Sequence, residues 1–178
     1  MLNWRNRRSQ NRRRNTEIPA AGLVEPLEVR ALLTGNVVAS MSGPHLSVSG
    51  DVADNQLEVT IVDNQVVLRG LTGTTVNGST ALFVIADNSD TTPGSIRIET
   101  GPGNDTVILS RNIKVYGSTW LDGGTGNDSL NVDGATFQGT VNIFGRAGND
   151  TISVQNATTE GMLRIKGKSG DDLISLTN

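Results

Sequence analysis

Apolar and polar residues alternate in short runs along most of the chain, and between residues 96 and 176 the runs recur at fixed intervals. One set reads Ile96/Ile98, Thr119/Leu121, Val141/Ile143 and Leu163/Ile165; the other reads Val107/Leu109, Leu130/Val132, Ile152/Val154 and Ile174/Leu176. A period of two marks a β-strand with one buried face. Between the sets lie four turns: Gly101-Pro-Gly-Asn-Asp105, Gly123-Gly-Thr-Gly-Asn-Asp128, Gly145-Arg-Ala-Gly-Asn-Asp150 and Gly167-Lys-Ser-Gly-Asp-Asp172. Their closing Asp residues are 23, 22 and 22 positions apart. A second glycine series at 117, 139 and 161 falls 11 residues before the next Asp and divides each unit into two halves. Strands this short cannot bury a face alone, but stacked in register each buries it against the next unit. An ordinary sandwich of hairpins would use similar turns without keeping such a period. The pattern therefore predicts an all-β chain, with a short right-handed parallel β-solenoid of about 22 residues per coil over residues 100–178.

Residues 35–99 alternate less regularly and read as a β-rich N-terminal cap. Candidate strand positions are Leu46/Val48, Leu57/Val59/Ile61, Val66/Leu68 and Leu82/Val84, with turns at Asp63-Asn64, Gly73 and Asn77-Gly78. The run Gly50-Asp-Val-Ala-Asp-Asn-Gln-Leu-Glu-Val59 looks like a degenerate copy of the repeat, and Pro93-Gly94 joins the cap to the first full coil. The last strand pattern, Leu173–Leu176, is followed by no recognisable cap. An uncovered strand edge there invites pairing with another chain, so that either the protein self-associates through the C-terminal end of the solenoid or the chain is short relative to its relatives.

Charge divides the chain. Residues 1–34 hold seven Arg and three Glu, a net +4, while the remainder holds 8 basic and 15 acidic residues, a net −7. The first segment reads as a disordered Arg-rich tail. Nucleic acid is not an expected partner, because the body is acidic and shows no basic face interleaved with aromatics along its sequence. Aromatics are only 3% of the chain, cysteine is absent, and no apolar run reaches the length of a transmembrane segment. The single histidine, His45, reads as a surface residue, and no Gly-x-Ser-x-Gly elbow occurs. An enzyme is therefore not expected. The outward positions Thr106, Ser129 and Thr151, with Asn131, Ser153 and Ser175, form mixed polar ladders read as solvated strand faces, on which surface glycans are a candidate partner.

Stacking would set Asp105, Asp128, Asp150 and Asp172 in a column at steps of about 4.8 Å. Like charges in such a column repel, and a hard cation between turns would turn repulsion into cross-linking. Arg146 and Lys168 could serve instead by pairing with the column. The segment Gly123-Gly-Thr-Gly-Asn-Asp-Ser-Leu-Asn131 resembles the nonapeptide repeat of the RTX, or haemolysin-type, calcium-binding β-roll. That resemblance implies Ca2+ held between stacked turns, with carboxylates of Asp105, Asp128, Asp150 and Asp172. Carbonyls near Gly101, Gly103, Gly124, Gly126, Gly145, Gly148, Gly167 and Gly170 would complete the shell. The chain departs from the repeat at Thr100, Arg146 and Lys168, where the family has glycine, and its copies are not tandem. A second segment, Val24-Glu-Pro-Leu-Glu-Val-Arg-Ala-Leu-Leu-Thr34, resembles the LEPR-XLL motif near the N-termini of planctomycete surface proteins, with Val29 in place of the motif's Pro. It implies export to the cell surface or beyond. Together these readings give a non-catalytic, extracellular calcium-binding β-solenoid with a structural or adhesive role. A calcium-independent module binding carbohydrate or protein is the alternative, and a polysaccharide-active β-helix enzyme the third reading.

Overall fold

The computed structural model describes residues 35–86 and 93–178. The chain separates into two units, Met1–Arg30 and Ala31–Asn178, and all described residues belong to the second. The Arg-rich tail and the export-like segment up to Thr34 lie outside the described residues. Those residues form strands joined by turns, with no helix among them. Six strands precede the coils: β1 (Gly35–Ser42), β2 (His45–Ser49), β3 (Gln56–Val62), β4 (Gln65–Gly70), β5 (Thr74–Val76) and β6 (Phe83–Ala86). The coils follow as β7 (Ser95–Pro102), β8 (Thr106–Leu109) and β9 (Lys114–Val115); β10 (Thr119–Thr125), β11 (Ser129–Asp133) and β12 (Thr136–Phe137); β13 (Val141–Ala147), β14 (Thr151–Gln155) and β15 (Thr158–Thr159); then β16 (Leu163–Ser169) and β17 (Leu173–Thr177).

The chain is a parallel β-solenoid. Strands β7, β10, β13 and β16 stack in one sheet, β8, β11, β14 and β17 in a second, and β9, β12 and β15 in a third. In-register pairing lines up the alternating aliphatics: Ile98, Leu121, Ile143 and Ile165 in the first sheet, and Val107, Leu130, Ile152 and Ile174 in the second. Most of these side chains are sealed inside one core, each contributing roughly 1.5–3 kcal/mol. The last coil is the exception. Ile174 and Leu176 are 41% and 56% exposed, and a cavity of about 340 Å³ lined by Phe137, Ile143, Val154 and Leu163 opens beside Leu176.

The third sheet differs from the two-half unit that the glycine spacing suggested. Its strands are two residues long, too short to show alternation, yet Ile113, Val115, Ala135 and Phe137 beside them are buried. The 23-residue spacing is absorbed at this corner: Leu109 pairs with Val132, but Lys114 pairs with Thr136.

The cap begins as a partial coil. Strand β2 pairs parallel with β7 and β3 with β8, so the Gly50–Val59 copy sits in register with the repeats. Antiparallel partners then extend both sheets, β1 on β2 and β4 on β3, and β5 (parallel to β1) and β6 (antiparallel to β4) form their outer strands. Asp63 and Asn64, both at positive φ (50° and 63°), form the tight turn between β3 and β4, as their sequence signalled. Two readings shift. Leu82 and Val84 point outward, while Ile85 is buried on the other face of β6. The first coil starts at Ser95, so the division drawn at 99/100 falls inside β7.

Candidate functional site

Each Gly-Asn-Asp turn carries the chain from the first sheet into the second. Gly103, Gly126, Gly148 and Gly170 have φ between 124° and 137°, a region open essentially to glycine alone. A Cβ at Gly126 would overlap the Gly103 carbonyl oxygen, and the same holds at Gly148 against Gly126 and at Gly170 against Gly148. The turns therefore nest, glycine on glycine, at the coil-to-coil distance.

The nesting aims the aspartates inward. Asp105, Asp128 and Asp150 are only 1%, 2% and 1% exposed, and Asp172 in the last coil is half-buried. Each carboxylate accepts a hydrogen bond from the main chain one coil earlier. The Asn55 N–H donates to Asp105 Oδ1 (2.7 Å), that of Asp105 to Asp128 Oδ1 (2.9 Å), that of Asp128 to Asp150 Oδ1 (2.9 Å), and that of Asp150 to Asp172 Oδ1 (3.0 Å). Asn55 holds the same rung in the cap. The leading glycine of each motif makes room for the side chain, because a Cβ at Gly123, Gly145 or Gly167 would strike Oδ2 of Asp128, Asp150 or Asp172. Thr100 stands at that position in the first coil, and its hydroxyl donates to the Gly123 carbonyl (2.6 Å).

The second oxygens are orphaned: Oδ2 of Asp105, Asp128 and Asp150 is buried without a hydrogen-bond partner. Burial pushes the Asp128 carboxyl up to about 7, against the Asp105 N–H bond and with Asp105, Asp150 and Asp122 adding like-charge repulsion. Burial also raises Asp105 and Asp150 above the ordinary carboxylate range. An uncompensated charge here is costly, so the column calls for a proton or a cation.

A second ladder runs beside the first and in the opposite sense. The Asn127 N–H donates back to Asn104 Oδ1 (2.9 Å), that of Asn149 to Asn127 Oδ1 (2.7 Å), and that of Asp171 to Asn149 Oδ1 (2.9 Å). These asparagines read from sequence as plain turn residues. Their recurrence at the position before each Asp was the available signal.

The donor chemistry suits a hard cation in one respect: three buried carboxylate oxygens have no hydrogen-bond partner. The arrangement is not a finished cage. Among the described residues no three His, Cys, Asp or Glu side chains gather at one point. Gly101, Gly103, Gly126 and Gly148 direct their carbonyls at the glycine of the next coil. Six to eight oxygens around one ion would require these turns to part.

Arg146 and Lys168 do not pair with the column. Arg146 lies on the outer face of the first sheet, bonded to Asp122 (2.5 Å) and set over the Phe144 ring. Lys168 rests over the same ring. His45 is exposed, with Nδ1 2.8 Å from Ser95 Oγ. Thr106, Ser129 and Thr151 align across the second sheet, as do Asn131, Ser153 and Ser175. No protein-family model, no curated protein and no solved structure matches the chain.

Proposed function

We propose that this chain is a non-catalytic β-solenoid of the cell surface, structural or adhesive in role, whose aspartate column is neutralised by calcium. The observation that carries the reading is the set of three buried carboxylate oxygens with no partner. Asp105, Asp128, Asp150 and Asp172 would hold the ion, which when bound supplies positive charge and ties coil to coil. The export half of the reading rests on the Val24–Thr34 segment. Cell fractionation checks it: a chain retained in the cytoplasm sinks it.

A thermal melt of the full chain tests the calcium half. Extracellular calcium modules bind at about 10⁻⁴–10⁻³ M. Calcium at ten times its dissociation constant adds about 1.4 kcal/mol per independent site, or about 3–6 °C in a chain of this size. A rise of that order with calcium, absent with magnesium and reversed by chelator, supports the reading; superimposable melts reject it. The tight nesting of glycine on carbonyl favours a second reading, in which protons neutralise the column and the outer strand faces bind carbohydrate or protein without metal.

A further inference from the structure

The outer face of the first sheet collects charge that the sequence disperses. Register places Arg97, Trp120, Asn142 and Arg164 in one column, and Glu99, Asp122, Phe144 and Lys166 in the next. Gly124, Arg146 and Lys168 make the third. Arg97 is paired with Glu99 (2.6 Å) and Arg146 with Asp122 (2.5 Å). Arg164, Lys166 and Lys168 are exposed and form no ion pair among the described residues. Three cations without an ion pair among the described residues thus stand at alternate positions of β16, at steps of about 6.6 Å. This basic face, with Trp120 and Phe144 in it, is assembled by register from residues that lie far apart along an acidic sequence.

We propose that this face docks an anionic polysaccharide, carboxylated or sulfated, along β16. The proposal is independent of calcium. Charge complementarity carries it: a row of exposed cations without ion pairs suits an extended polyanion. A protein partner gains from a buried apolar anchor, and the exposed outward side chains of β16 on this face are Arg164, Lys166 and Lys168. Nucleic acid gains from stacking bases on free aromatic faces. Here Arg97 lies over Trp120 (5.0 Å), while Arg146 and Lys168 lie over Phe144 (5.4 and 5.6 Å). The two rings pack on each other as well, with centroids 4.8 Å apart.

The test titrates the full chain with polygalacturonate, dextran sulfate, neutral dextran and single-stranded DNA, at low and physiological salt. Three variants accompany it: R164Q/K166Q/K168Q; K114Q, which lies outside this face; and a tail variant with Arg5, Arg7, Arg8, Arg12, Arg13 and Arg14 changed to Gln. A melt confirms that each is folded. The expected result is salt-sensitive binding of at least one anionic polysaccharide, weakened about tenfold by the triple change and untouched by K114Q or the tail variant. The proposal is overturned if binding follows the tail alone, if neutral dextran or DNA binds more tightly, or if the triple variant binds normally. Self-association of a normally binding triple variant would instead make the cations a guard on the β16 edge.

Discussion

Replacing Asp128 by Asn removes one ionisable oxygen from the column and leaves its shape almost unchanged. The amide keeps an acceptor for the Asp105 N–H, and Asn55 already occupies the equivalent rung in the cap. The folded carboxyl titrates near 7 against 3.8 for the free group. Below 3.8 both folded and unfolded chains hold the proton, and Asp128 brings no penalty. As pH rises toward 7 the unfolded chain releases it first, so stability falls through this window and is lowest above it. A difference of about 3 units corresponds to at most about 4 kcal/mol. That is at most about 8–16 °C at about 2–4 °C per kcal/mol. In chelator, the wild type should therefore lose melting temperature from pH 4 to pH 8, and Asp128→Asn should lose less and melt above it at pH 8. Calcium should raise the wild type and reverse the order if the carboxylate is a ligand. A variant that melts below the wild type at pH 8 in chelator would refute the claim that Asp128 is buried without a counter-charge.

Three further changes probe the frame. Gly126→Ala should destabilise by about 3 kcal/mol or more in denaturant titration, because it adds a Cβ at φ 124° against the Gly103 carbonyl. Arg146→Ala should cost about 1–2 kcal/mol, since Asp122 is buried and loses its cation while Arg146 itself is half in water. If the φ of 89° at position 146 is a burden on any side chain, Arg146→Gly should be the milder change by chemical denaturation. Phe137→Ala, which opens the core behind the third sheet, should cost about 3–5 kcal/mol, and a shift under 1 kcal/mol in the same assay would show that corner to be loosely packed.

The coils were legible because the same offsets recur. Val107, Leu130 and Ile152 are buried in one line, as their spacing from each Asp requires. The turn pairs Asp63-Asn64 and Asn77-Gly78 also declared themselves, since each adopts the positive φ those residue types tolerate. Other features depend on stacking rather than on local pattern. The third sheet escaped notice because two-residue strands carry no period. The gap beside Gly123, Gly145 and Gly167 that admits the carboxylates of Asp128, Asp150 and Asp172 is visible only once the turn is closed. The basic face joins Arg97 to Lys168, residues three coils apart, and only register brings them onto one surface.

The paired ladders bear on how such a chain can change in length. Asp128 both gives its N–H to the following coil and takes one from the preceding coil, and Asn127 does the same in reverse. Excision of residues 128–149 would join Asn127 to Asp150 and leave both ladders complete with one rung fewer. Tandem copying of that segment would add a rung on the same terms. Gain or loss of whole coils is thus close to neutral for the hydrogen bonds of the turn, whereas insertion of a few residues between Gly126 and Asp128 breaks two rungs at once. Reach from end to end is therefore the property this architecture can vary most freely between generations, in steps of one coil.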